Sequence, residues 1–461
     1  MDKRHITMLC KKIKSFSAMQ NDMDVIIDDL TEMLFSRVSL ILDKAKDFFF
    51  EENYVETEWK DMVSMHYVNT IYNCKNKVAR IHFFSDTCCV HKKNNDFLKE
   101  SAGNDNYLGY ITIRPIPEPL IMLSFVCPNF NNFNPFENSE ILQYEQIVHI
   151  NEKNFNISTF PHFSQDSIAT VCANAVLTMM SKYMHFKYRY KCLRVKDMNE
   201  TRMYPYPNPG FSSNETLNIA QKNNIPLRVI EKRENSDELI KTYILSGLPV
   251  LVFSGNHIVL IIGIIQSNEE NHYVVYDDSG AFFKSKNNDK PIVLDEKMQE
   301  HFVNEVNWES INGWMSQDNN GILIPIFERV VLSFDQVKEM FVEYLYTSNG
   351  IYVDVSNDDF INMFKNDVKN IRICSSSKLK TFLKKNMYLV DDDDSRDLLN
   401  DFINNYTEHY VWISYDINSF DNDKGYGYLM MINPTIFQYS LQYDPVLVYV
   451  KKDFLSIIKN L

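Results

Sequence analysis

The sequence predicts an α+β protein, on three observations. In the middle of the chain an apolar helical run, Cys172–Met184, precedes three apolar strand-like segments instead of alternating with them. Those segments, Pro249–Phe253, His257–Ile265 and His272–Tyr276, are rich in β-branched residues and adjacent in sequence, as antiparallel neighbours are. At 461 residues the chain exceeds one ordinary core, and its 45% hydrophobic content, with 31 Phe and 26 Tyr, is that of a folded protein. Three regions separate by pattern: an N-terminal α/β region at 1–147, a central α+β domain at 148–330 and a C-terminal α/β region at 331–461.

In the first region the apolar spacing is helical from Asp22 to about Asn73, through Val25, Ile26, Leu30, Leu34, Val38, Ile41, Phe48 and Phe49. Strands are expected at Ala79–Ser85, Tyr110–Ile116 and Leu120–Val126, with prolines 115, 117 and 119 bending the chain between the last two. Asn129–Ser139 reads as a loop at a domain edge. The second region opens on a strand at Gln146–Ile150, and Cys172–Met184 places Val176, Met179, Met180 and Tyr183 on one helical face. Tyr204–Gly210 is a Pro/Gly-rich loop, read equally as a cleft wall or a stiff surface loop, and Asn214–Asn223 a short helix. The third region starts with an amphipathic helix at Phe334–Tyr346. It ends in strands Tyr410–Tyr415, Gly427–Ile432 and Val446–Val450, and the acid run Asp391–Asp394 reads as a solvated loop.

The formal net charge of −14 argues against a nucleic-acid partner, because phosphate binding needs a basic face. The best local basic patch is Lys182–Lys196. The eight cysteines are scattered, with Cys88 and Cys89 adjacent, and form no disulfide framework. Met1–Lys14 is basic but precedes no continuous apolar run, so no signal peptide is expected. Tyr243–Gln266 is long enough to span a bilayer, yet Gly247, Pro249 and the Gly255–Asn256 turn divide it into two buried strands. A cytoplasmic protein with no membrane partner is the expectation. His82, Cys88, Cys89 and His91 are metal-type ligands without paired spacing and read as structural residues.

The chemistry concentrates in Phe163–Met180, FSQDSIATVCANAVLTMM. A cysteine at the start of an apolar helix gains thiolate character from the helix N-terminus, and the first-turn N–H groups can serve an oxyanion. Gln165, seven residues earlier, can bring a side-chain amide to the same point as a second donor. The thiol needs a base, and His257, opening the strand HIVLIIGII after a Gly–Asn turn, is the best of the eleven histidines. The next strand ends in Asp277–Asp278. Asp277 is the first choice to orient the imidazole and Asp278 the reserve, because alternating side chains put one of them on the active face.

QDSIATVCANA, LPVLVFSGNHIVLIIG and YVVYDDSG together resemble the papain-like cysteine peptidases, in the branch similar to bacteriocin-leader-processing peptidases. The likeness covers about Phe160–Phe283, and RIHFF and GYITIRPIP look like segments of uncharacterised bacterial proteins that carry this domain. The resemblance implies a Cys-bearing helix packed on an antiparallel sheet, with Gln165, Cys172, His257 and Asp277 as oxyanion donor, nucleophile, base and orienter. Ala173 stands where most relatives have Gly, and the Gln-to-Cys spacing is one residue longer than in papain.

The expected activity is cleavage of a peptide or isopeptide bond in a protein or peptide substrate, with no metal or organic cofactor. A deamidase or transglutaminase-like acyltransferase uses the same triad, and a catalytically inactive papain-like binding module is the reading from another class. Low Gly with abundant Asn, Lys and Ile suggests an AT-rich microbial genome, hence an expected role in bacterial defence with activation by a protein partner. Oligomeric state is not legible.

Overall fold

The structure, a computed structural model, describes residues 3–17, 44–69, 76–92, 96–116, 121–126, 139–200, 210–230, 236–254, 257–266, 271–277, 303–315, 320–348, 368–390, 392–416, 426–435 and 446–458. They form helices and antiparallel sheets in two compact units. One is Met1–Arg233 with Pro249–Pro325, the other Glu234–Leu248 with Ile326–Leu461.

The first unit runs through α1 (Lys3–Ser17), β1 (Asp47–Tyr54), α2 (Thr57–Met65), β2 (Val78–Phe84), the short pair β3 (Cys89–His91) and β4 (Asp96–Leu98), and β5 (Tyr107–Ile113). It continues with β6 (Ile121–Val126), β7 (Ser139–Ile141), β8 (Tyr144–Ile150), β9 (Lys153–Phe163), α3 (Cys172–Tyr188), α4 (Val195–Glu200), α5 (Ser213–Lys222) and β10 (Leu227–Ile230). Helix α6 (Ser236–Leu245) belongs to the second unit. The chain then returns to the first through β11 (Val250–Ser254), β12 (His257–Gln266), β13 (Asn271–Tyr276), β14 (Val303–Asn307), α7 (Trp308–Trp314) and β15 (Asn320–Pro325).

Two sheets organise this unit. The first has the order β1-β2-β5-β6-β9-β8, and so draws strands from both sides of residue 148; the second has the order β10-β15-β11-β12-β13-β14. Strand β11 covers the first half of β12, from His257 to Ile261, and β7 covers Gly263–Ile265. Gly263 permits that close approach, since a Cβ there would lie 2.9 Å from the Glu140 carbonyl oxygen.

Helix α3 packs on β9 of the first sheet and on β12 of the second. Every residue from Ala173 to Met184 is buried, as a helix between two layers requires. Phe160 stacks on Tyr183 at 4.8 Å and Tyr144 on Phe186 at 5.0 Å, which keys the helix to β9 and β8. Two of the buried polar groups of α3 reach neighbouring elements: Ser181 accepts from the Leu193 N–H at 3.2 Å, and Lys182 pairs with Glu58 of α2 at 2.6 Å.

The second unit adds α8 (Phe334–Ser348), β16 (Arg372–Ser375), α9 (Ser376–Asn386), α10 (Asp393–Asn405), β17 (Tyr410–Asp416), β18 (Tyr426–Ile432), β19 (Val446–Lys451) and α11 (Lys452–Ile458). Its sheet, β16-β17-β18-β19, carries a core of Leu379, Leu383, Leu399, Val411, Leu429, Val448 and Phe454. Helix α6 joins it, with the Ile373 N–H donating to Ser246 Oγ at 2.8 Å.

Several expectations need correction. Residues 47–54, expected to continue a helix, form β1; three successive aromatics, Phe48–Phe50, bury both faces, which suits a strand covered on both sides and no single helical stripe. The helix in that stretch is α2, and 18–43 and 70–75 lie outside the described residues. Of the acid run, Asp391 lies outside the described residues and the other three start a helix: Asp392 caps α10 by accepting the Ser395 N–H at 2.8 Å, and Asp393 and Asp394 sit in its first turn, where carboxylates favour the helix dipole. Within the basic segment 182–196, Lys182 pairs with Glu58, Arg194 with Asp61 and Lys196 with Glu200. The apolar stretch 243–266 holds the end of α6 as well as β11 and β12, and no described helix is long and apolar enough to cross a membrane. Asn129–Ser139, apart from Ser139, and Tyr204–Pro209 lie outside the described residues.

Candidate active site

Cys172 is the first residue of α3 and is half-buried. The preceding residue, Val171, is extended and offers no side-chain cap, so the first turn of α3 meets no capping oxygen from it. Asn174 instead reaches back, its Oδ1 accepting the Val171 N–H at 3.1 Å. Its Nδ2 donates to Asn199 of α4 at 3.1 Å, and Asn199 in turn donates to the Ala169 carbonyl at 2.8 Å. The helix start is thereby tied to the loop before it.

That loop, 164–171, is organised by Asp166, a residue to which sequence reading assigned nothing. Its Oδ1 accepts the N–H groups of Ile168, Ala169 and Thr170 at 3.1, 2.9 and 2.7 Å, and the Thr170 hydroxyl at 3.0 Å. Its Oδ2 accepts the Tyr67 hydroxyl at 2.6 Å. Thr170 Oγ1 also accepts the Asp166 N–H at 2.9 Å, closing the ring. Ser167, at φ 60°, is held in the left-handed region by these bonds. The available signal was an Asp followed four residues later by Thr, ahead of a helix start.

Gln165 lies half-buried on the same loop, and its carbonyl accepts from the fully buried Arg114 guanidinium at 3.2 Å. Arg114 also donates to the Ile121 carbonyl at 2.7 Å. Burial pushes the Arg114 guanidinium down from its ordinary value, and the Asp166 carboxylate works against that shift.

His257 opens β12, and Asp277 directly follows β13. The β12–β13 register pairs Leu260 with Tyr276, so the chain leaving β13 runs toward the His257 end. There Asp277, 2% exposed, stands with Oδ1 2.9 Å from His257 Nε2. An ionised carboxylate only accepts, so Nε2 carries the proton and Nδ1 is the basic nitrogen. Asp278 lies outside the described residues. The structure thus joins His257 to Asp277, and sets Cys172 at the head of the helix that packs on the His257 strand.

The other histidine–cysteine set divides. His82 is fully buried between the Tyr107 hydroxyl, 2.9 Å from Nδ1, and Glu51, 3.2 Å from Nε2. Burial pushes its pKa down to about 4, against the Glu51 hydrogen bond. Cys88 and Cys89 are buried thiols whose pKa burial raises.

No family model matches the chain, and no curated protein matches it. It is similar in part to a solved structure, the crystal structure of UfSP from C. elegans, at 13% identity and a TM-score of 0.28. The likeness covers 43% of this chain and 37% of that one, and at this level it says nothing about activity.

Proposed function

We propose that this chain is a cysteine hydrolase that cleaves a peptide or isopeptide bond by a papain-like mechanism. The observation that carries the reading is the pair of His257 and the buried Asp277, built at the ends of neighbouring strands beside a helix headed by Cys172. A buried carboxylate on a partly exposed imidazole is the arrangement that fixes the tautomer of a general base.

In this reading His257 Nδ1 takes the Cys172 proton, and the thiolate attacks the acyl carbon. The negative charge that develops on the acyl oxygen meets the first-turn N–H groups of α3 and the Gln165 side-chain amide. His257 returns the proton to the departing amine as the C–N bond breaks, leaving a thioester on Cys172. Water, deprotonated by the same imidazole, then releases the acid and the free thiol. General base work of this kind contributes about 10²–10⁴-fold, and an oxyanion donor about 10²–10³-fold.

The test is the pH dependence of iodoacetamide alkylation at Cys172, read by mass spectrometry in the wild type and in His257→Ala. Fast labelling that persists well below pH 8 and disappears in the variant supports the activated pair. Labelling no faster than at an ordinary thiol in both proteins refutes it and favours a binding module.

A further inference from the structure

Outside the cysteine site, metal-type donors converge where α1, β1 and β3 meet. Asp47 Oδ1 lies 2.8 Å from His91 Nε2 and 3.9 Å from His5 Nε2, and the three donor atoms all lie within 4.8 Å of one another. Points so separated share a position about 2.0–2.4 Å from all three, which spans zinc–nitrogen and zinc–oxygen bond lengths.

The surroundings support the donors as an outer shell does. Asp96 Oδ1 is 2.9 Å from His91 Nδ1, the carboxylate–histidine arrangement that turns the other ring nitrogen toward an ion. Asp96 is itself held by Lys12 Nζ at 3.0 Å and by the Phe50 N–H at 3.0 Å, so the lysine charge is already matched. Asp47 is fixed by the N–H groups of Phe48, at 2.9 Å, and Cys89, at 2.7 Å.

We propose that His5, Asp47 and His91 form a binding site for a divalent transition-metal ion of the zinc type, with two imidazoles, one carboxylate and open positions for water. Two imidazoles select against magnesium and calcium, which prefer all-oxygen sites.

The competing account is a buried ion pair in which His91 bridges Asp47 and Asp96. His5 separates the two. His91 bridges the two carboxylates without it, whereas His5 Nε2 lies 3.9 Å from Asp47 Oδ1, beyond hydrogen-bond distance, with its ring centroid 5.8 Å from that of His91. With a shared ion the two rings become co-ligands. The bound ion would pin α1 to β1 and β3.

The experiment is titration of the full chain with Co²⁺, following its d–d absorption, in the wild type, His5→Ala and Asp96→Asn. His5 side-chain exposure is 23%, and alanine favours the helix, so His5→Ala keeps the fold. The expected result is one ion per chain, with no thiolate charge-transfer band. Binding should weaken about 100-fold or more in His5→Ala and about 10–100-fold in Asp96→Asn. Failure of the wild type to take up Co²⁺, a thiolate-type spectrum, or equal binding by His5→Ala overturns the site.

Discussion

Replacing Asp166 with alanine should be among the most damaging single changes in the first unit. The carboxylate accepts three backbone N–H groups and two hydroxyls, and it is 3% exposed, so water does not replace what is lost. A hydrogen bond to a charged group contributes about 1.5–3 kcal/mol, and each abandoned buried donor costs about 1–3 kcal/mol. The Tyr67 and Thr170 hydroxyls can turn to other acceptors, whereas the three amides of one tight loop cannot. The substitution also strips Arg114 of the carboxylate that offsets its burial. Because the bonds are not additive, the expected loss is about 3–5 kcal/mol, against a typical stability of about 5–15 kcal/mol.

Asp166→Asn keeps one oxygen for the amides, gives its NH₂ to Tyr67, and should lose about 1–2 kcal/mol. Urea unfolding reads both values. In Asp166→Asn, measured well below the unfolding midpoint, Cys172 alkylation reports whether the loop still delivers the helix start. If Asp166→Ala unfolds within about 1 kcal/mol of the wild type and labels at the same rate, the loop is held by other contacts and the reasoning fails.

His82 should make the protein acid-labile before its carboxylates do. Its folded pKa of about 4, depressed by burial, lies below the ordinary value of 6.5. Protons therefore bind the unfolded chain more tightly. The contribution is complete above about pH 6.5 and declines as pH falls toward 4, by about 3 kcal/mol in all. Urea midpoints between pH 7.5 and 4.5 should show this slope in the wild type and a flatter one in His82→Gln; equal slopes would refute the assignment. Glu58→Gln should destabilise by about 3–5 kcal/mol, because it leaves the buried Lys182 ammonium without the carboxylate that outweighs its burial. The double variant Glu58→Leu with Lys182→Met should lose less than either single change, and additive losses in that cycle would count against a coupled pair.

How far the sequence was legible follows from which forces are local. Helix α3, β12 and β13 were readable because apolar content and period survive in any neighbourhood, and their ends mark Cys172, His257 and Asp277. Strand β9 was not, since Pro161 and His162 sit inside it. The pairing explains the proline: β8 covers residues 153–159 and β6 covers 160–163, so at Pro161 one side of the strand asks for no N–H. Strand β1 was misread as helix because its aromatic run follows a stretch of helical spacing and shows no alternation that would mark a strand. Asp166 was missed for a different reason. Its value lies in five bonds, four to its own loop and one to Tyr67, far away in sequence, and no spacing rule encodes that partner.

The geometry proposed for the thiol depends less on the residues that would do chemistry than on how α3 is held. Cys172 comes from the helix, while His257 and Asp277 come from the second sheet, so a shift of the helix against β12 alters every distance between them. Phe160 of β9 resists that shift from both sides, stacking on Tyr183 of α3 and meeting the edge of Tyr276 at 5.6 Å. Tyr276 is the residue before Asp277, so one aromatic chain runs from the middle of the helix to the carboxylate that orients the imidazole. The Asp166 loop fixes the other end of the helix. On the proposed reading, a buried helix and strand ends, with the loop before the helix tied by a carboxylate, would hold the thiol and the imidazole in place before substrate arrives.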